Sequence, residues 1–141
     1  MDEVLLYEQL LARLRALPYI GGAVHEGYVK GSVPQDANQN ISPYLLVFGG
    51  LASDLPGERC LSHEADPNVL NWLPQINAVG PNPEVTLKVA VQVRKALTGA
   101  RIGNHWLKPQ ADAFRVSRPI LDTQANPARF YLPLNFEVTT N

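Results

Sequence analysis

A chain of 141 residues with a formal net charge of −1 fits one domain, and at this length folding buries roughly 68–70% of the unfolded surface, so neither a disulfide nor a metal is required. Cys60 is the only cysteine, which excludes an intrachain disulfide and a cysteine-based zinc site. The near-neutral charge argues against a dedicated nucleic-acid binder, and no run reaches the ~18–20 apolar residues of a membrane helix.

The N-terminal stretch is acidic and broken by Glu8, unlike a secretory signal, so the chain is expected to work in a reducing cytoplasm. From Asp2 to Leu17, Tyr7, Leu10, Leu11, Leu14 and Leu17 recur at three- and four-residue steps, which predicts an amphipathic helix. Its acids stand near the N-terminus and Arg13 and Arg15 near the C-terminus, matching the helix dipole. Pro18 and Gly21-Gly22 end it.

Ala23 to Val29 reads as a strand, and Pro43 to Phe48 as a strand buried on both faces, with a polar loop from Lys30 to Ser42 between them. Residues 51–68 form an irregular surface insertion marked by Pro56-Gly57 and Asp66-Pro67. Val69 to Val79 alternates, with Leu70, Trp72, Ile76 and Ala78 on one face and Asn71, Gln75 and Asn77 on the other; Pro74 predicts an edge or bulged strand.

Glu84 to Thr98 satisfies two patterns. Val85, Leu87, Val89, Val91 and Val93 alternate as in a strand. Asn82-Pro83-Glu84 nevertheless supplies an N-cap, a first-turn proline and an acid at the dipole, and Gly99 suits a helix C-terminus, so a helix is expected. Ala113 to Leu121 and Arg129 to Thr140 then form an antiparallel hairpin, with Phe130, Leu132, Leu134, Phe136 and Val138 on one face of the second strand and Pro133 marking an edge or bulge. The fold class is α+β: a single domain over 1–141, with a mainly antiparallel or mixed sheet of four to five strands and two helices on one face.

Charge divides unevenly along the chain. Up to Glu84 there are ten acids and four bases, a net −6; from Val85 on there are eight bases and three acids, a net +5. Solvated faces account for this, as does a head-to-tail contact between the acidic part of one copy and the basic part of the next. On the second account Arg94, Arg115 and Arg118 are candidate subunit-interface residues.

Chemistry finds little support. His25-Glu26 and His63-Glu64 each open a zinc-protease pattern, but position 29 is Val and position 67 is Pro where the second His belongs. His63, Glu64 and Asp66 offer metal-ligand types, for which a solvated loop is the simpler account. Cys60 and His63 lie too close in sequence to read as an assembled nucleophile and base. His105-Trp106 is expected to bury Trp and expose His. No nucleophile elbow or phosphate loop occurs. Arg115, Arg118, Arg129 and Tyr131 can form a small basic patch, a nucleic-acid or inter-subunit contact in sharp form and a solvated sheet face in bland form. The expectation is no enzymatic activity, no cofactor and no metal.

Two stretches carry a family likeness. Val24-His25-Glu26-Gly27-Tyr28-Val29, a polar loop and Pro43-Tyr44-Leu45-Leu46-Val47 resemble the opening hairpin of siphophage tail terminators of the lambda type. The helix ending Ala96-Leu97-Thr98-Gly99, then Arg118-Pro119-Ile120-Leu121-Asp122 and the final strand, resemble that family's closing layout. The resemblance implies a homohexameric ring on the head-proximal end of the virion tail. Such a ring stops growth of the tube formed by the major tail protein and docks to the head–tail connector, while DNA passes through it without sequence-specific contact and without any membrane. A head–tail connector or neck protein is the alternative in the same class; a small ligand-binding or nucleic-acid-binding α+β domain is the alternative outside it.

Overall fold

The computed structural model describes residues 3–20, 22–29, 35, 40–51, 53–54, 70–110, 117–125 and 127–139. Helix α1 (Glu3–Arg15) buries Leu10, Leu11 and Leu14, as its periodicity predicts, and Leu6 besides, while Tyr7 and Leu17 of the predicted face are half-buried. Arg13 donates to the Arg101 carbonyl at 3.1 Å, and the Gln9 side chain accepts from the Gly103 N–H. These two bonds tie α1 to a turn far along the chain.

Strand β1 (Val24–Glu26) pairs with β2 (Tyr44–Phe48) in parallel, Val24 opposite Leu45. A hairpin was the expectation here. The connection from Gly27 to Pro43 is long enough to carry the chain back to the same end before β2 begins, and parallel pairing needs such a crossover. Within it Gln35 and Ile41 form an isolated antiparallel bridge.

Strands β3 (Ser53–Asp54), β4 (Leu70–Trp72) and β5 (Gln75–Gly80) follow. The last two lie end to end along β9 (Arg129–Thr139) in one register: Trp72 stands opposite Val138 and Gln75 opposite Asn135, with no residue gained or lost. The gap between them is Leu73-Pro74. Pro74 accepts from the Phe136 N–H at 3.0 Å but has no N–H to return, so the ladder lapses there and then resumes. Neither proline marks an edge, contrary to the sequence expectation: β5 lies between β2 and β9, and β9 pairs with β5, β4, β7 and β8. Pro133 sits opposite Asn77 on one side. On the other it falls between the stretches paired with β7 and β8, where no ladder among the described residues requires its missing donor.

Helix α2 (Pro83–Leu97) settles the two-pattern segment as a helix. The Asn82 side chain accepts from the Val85 N–H at 2.9 Å, Thr98 caps the far end by donating to the Arg94 carbonyl, and Gly99 takes φ +75 beyond it. Thr86, Val89, Ala90, Val93 and Leu97 are buried. Then β6 (Arg101–Ile102) and β7 (His105–Pro109) form a hairpin about Gly103-Asn104. The sequence reading left this hairpin out, although a Gly-Asn pair between apolar positions is a turn signal. Finally β8 (Ile120–Asp122) pairs antiparallel with β9, the expected terminal hairpin with a much shorter first arm; Phe114 and Val116 lie outside the described residues.

The result is an α+β fold with nine strands among the described residues, more than the four to five expected, because long strands are broken and one hairpin was unforeseen. Both helices share one hydrophobic core with one sheet face: Leu45, Val47, Trp72, Ile76, Leu132, Leu134, Phe136 and Val138 meet Leu10 and Leu14 of α1 and Val89, Val93 and Leu97 of α2. Each large side chain buried here stabilises by about 1.5–3 kcal/mol before entropy is counted. Among the described residues, the opposite sheet face carries a small cluster of Ile41, Tyr44 and Val79.

Candidate interaction surfaces

The residues singled out for chemistry do not converge. His25 lies on β1 with its ring edge-on to Tyr44, centroids 5.5 Å apart, and its Nε2 is buried without a hydrogen-bond partner. Among the described residues no three His, Cys, Asp or Glu side chains are grouped as metal ligands. Cys60, His63, Glu64 and Asp66 lie outside the described residues, as does most of the 51–68 insertion apart from Leu51 and β3. At 105–106 the expected arrangement is reversed: Trp106 is 61% exposed and His105 is half-buried. The Arg101 guanidinium stands 5.6 Å from the Trp106 ring centroid, a cation–π contact across the β6–β7 hairpin.

Two surfaces remain. The first is a cleft on the open sheet face. Tyr28, Tyr44 and Tyr131 line it with Asn77, Asp122 and Arg129. Arg129 and Asp122 stand opposite each other in the terminal hairpin, and Arg129 donates to the Tyr44 hydroxyl at 3.2 Å and to the Pro127 carbonyl at 3.5 Å. Nearby, Gln75 donates to the Asn77 side-chain oxygen at 2.9 Å. This arrangement holds these side chains in place by hydrogen bonds.

The second surface is the outward side of α2. Leu87 is 46% exposed, Val91 is half-buried, and Arg94, Lys95 and Lys88 surround them. Lys88 is paired with Glu84 at 3.1 Å, one turn back, and that partner raises its pKa from the ordinary lysine value. Hollows flank the stripe: one is lined by Leu87, Ala90, Arg94, Ser117, Leu132 and Leu134, the other by Tyr19, Leu87, Val91, Gln92 and Lys95. Of the three candidate interface arginines, Arg94 lines the first hollow, and Arg118 is exposed, next in sequence to Ser117, which lines that hollow. Arg115 lies outside the described residues.

Leu87, Val91 and Tyr19 were missed as surface residues. The signal was present in the sequence. Once the segment is a helix, the apolar residues that made it resemble a strand cannot all share the buried stripe, and two of them must face outward.

A third feature joins the helical layer to the sheet. The Tyr7 hydroxyl donates to the Glu26 carboxylate; burial, that hydrogen bond and the Glu26 charge push its pKa up to about 12. Its ring lies so close to Gly49 that a Cβ there would fall 2.5 Å from Tyr7 Cδ1.

No protein-family sequence model matches this chain, and no curated protein matches it. Solved structures do. One is a chain of the virion of a native gene transfer agent particle, 16% identical, aligned over 98% of this chain and 92% of its own length with a TM-score of 0.53. Another solved chain is 12% identical and aligns over 100% of this chain and 96% of its own length at a TM-score of 0.55. At such identities the correspondence is one of fold, and it runs the full length of the domain.

Proposed function

We propose that this chain is a structural protein of a phage-like particle, a tail terminator that assembles into a homohexameric ring on the head-proximal end of the tail tube. The ring halts addition of tube subunits and offers a surface to the head connector. It acts by binding, with no reaction and no cofactor, and DNA passes through it unread. The full-length fold correspondence with a gene transfer agent virion chain carries this reading. The tail-terminator resemblance of 24–47 and 85–140 gives it its finer form. An outward apolar and basic stripe on α2 suits a protein that works through contacts.

The test is assembly. Tail-tube protein polymerised with the purified chain is expected to give short tubes with a six-membered ring on one end in electron micrographs. Without the chain, tubes are expected to grow to unregulated lengths. Tubes of the same length distribution with and without the chain, and bare at both ends, would refute the proposal.

A further inference from the structure

We infer that the outward stripe of α2 is the docking site for helix α1 of a second copy of this chain. The inference rests on self-assembly as proposed above and names the surfaces that carry it.

The two helices present matching outer faces. On α2, Leu87 is 46% exposed and half-buried Val91 follows one turn on, between two hollows. Lys95 comes one further turn along, exposed, with Arg94 beside it. On α1, away from its buried Leu6, Leu10 and Leu14, Val4 is 67% exposed and Leu5 47%. Glu8 is exposed one turn after Val4. Each helix therefore runs from apolar to charged in one turn, and the charges are opposite.

Direction follows from charge. Laid parallel, with Val4 against Val91, the four-residue step from Val4 to Glu8 equals that from Val91 to Lys95, about 6 Å along either axis. Glu8 then meets Lys95, while the apolar ends cover each other. Laid antiparallel, Glu8 would approach the Glu84–Lys88 pair, whose cation is already engaged. The parallel arrangement sets Glu8 against Lys95 and keeps it away from Glu84. The hollows beside Leu87 and Val91 receive Val4 and Leu5, which removes apolar surface from water on both copies. Because α1 and α2 are different surfaces, the contact is heterologous, and it closes into a ring when the rotation between copies closes.

The experiment reads self-association and proximity together. In sedimentation runs, Glu8→Lys and Lys95→Glu are each expected to weaken self-association about tenfold, and the double variant Glu8→Lys/Lys95→Glu to restore it. Leu87→Asp is expected to abolish it. All three sites are exposed on helix surfaces, and circular dichroism checks that each variant folds. A chain carrying Val4→Cys and Val91→Cys on a Cys60→Ser background is expected to form a ladder of disulfide-linked copies under mild oxidation, also on assembled tube ends, where single-cysteine variants stop at dimers. Unchanged association in Leu87→Asp, failure of the double swap to recover, or no ladder would overturn the docking site. Rings that cap tubes without a Val4–Val91 cross-link would overturn it while leaving the tail-terminator reading intact. Absence of both rings and cross-links would remove both.

Discussion

Gly49 shows what one missing carbon does. The Tyr7 ring occupies the space a Cβ would need, and its hydroxyl reaches Glu26, so one side chain pins α1 to the ends of β1 and β2. Gly49→Ala is expected to lower the unfolding free energy by about 1–3 kcal/mol, read from a denaturant midpoint, because the ring has to move. The penalty should largely vanish in a Tyr7→Ala background, as a double-mutant cycle would reveal. Tyr7 also predicts an alkaline limit. Its pKa is raised in the fold, so the folded chain keeps a proton that the unfolded chain releases between pH 10 and about 12. The resulting stabilisation is complete below pH 10 and is lost as pH rises through that window. A Tyr7→Phe variant should lack that part of the slope, measured as unfolding midpoint against pH. Such local contacts were not legible in the sequence, since Tyr7, Glu26 and Gly49 come from three separate segments.

At the scale of elements, capping decided what periodicity could not. Both a two-residue and a 3.6-residue pattern run through 84–98, and the Asn82 side chain on the Val85 N–H resolves them in favour of the helix. Asn82→Ala is expected to cost about 0.5–2 kcal/mol, seen as a lower thermal midpoint in circular dichroism, with Asn82→Ser largely retaining stability. The start of α2 is tightly built in other ways. The Thr86 hydroxyl donates to the Asn82 carbonyl at 2.8 Å, and a Cβ on Gly80 would lie 2.7 Å from that hydroxyl oxygen. Prolines 74 and 133 illustrate the opposite case. Each predicted an edge or a bulge from its missing donor, yet Pro74 falls in the gap between β4 and β5 and Pro133 inside interior β9, because a ladder tolerates a proline where pairing is already interrupted. Local chemistry identified the missing hydrogen bond correctly and its location in the sheet wrongly.

For the whole molecule, the uneven charge acquires a place. The basic part contributes Arg94 and Lys95 to one surface beside the apolar stripe of α2, while the acidic part contributes Glu8 on the outer side of α1. Reversal of Arg94, Arg115 and Arg118 to Glu is therefore expected to shift sedimentation toward the monomer, and added salt should weaken assembly of the native chain. Unchanged oligomer size in the triple variant would show that these arginines do not hold copies together. The cleft of Tyr28, Tyr44, Tyr131 and Arg129 lies on the opposite side of the sheet from both helices, so Arg94→Glu alone leaves it untouched.

Both helices, their buried stripes, the inward face of β9 and the terminal turn could be read directly from residue order, because each depends on spacing within a single segment. The parallel pairing of β1 with β2, the interior position of β9, the β6–β7 hairpin bound to α1 and the exposure of Trp106 depend on which segments meet. Pairing is set by long-range packing: β9 collects four partner strands because its alternating apolar face completes a core whose other residues come from both helices and from strands far back in the chain. Spacing determined what each element is, and burial of shared apolar surface decided where it lies.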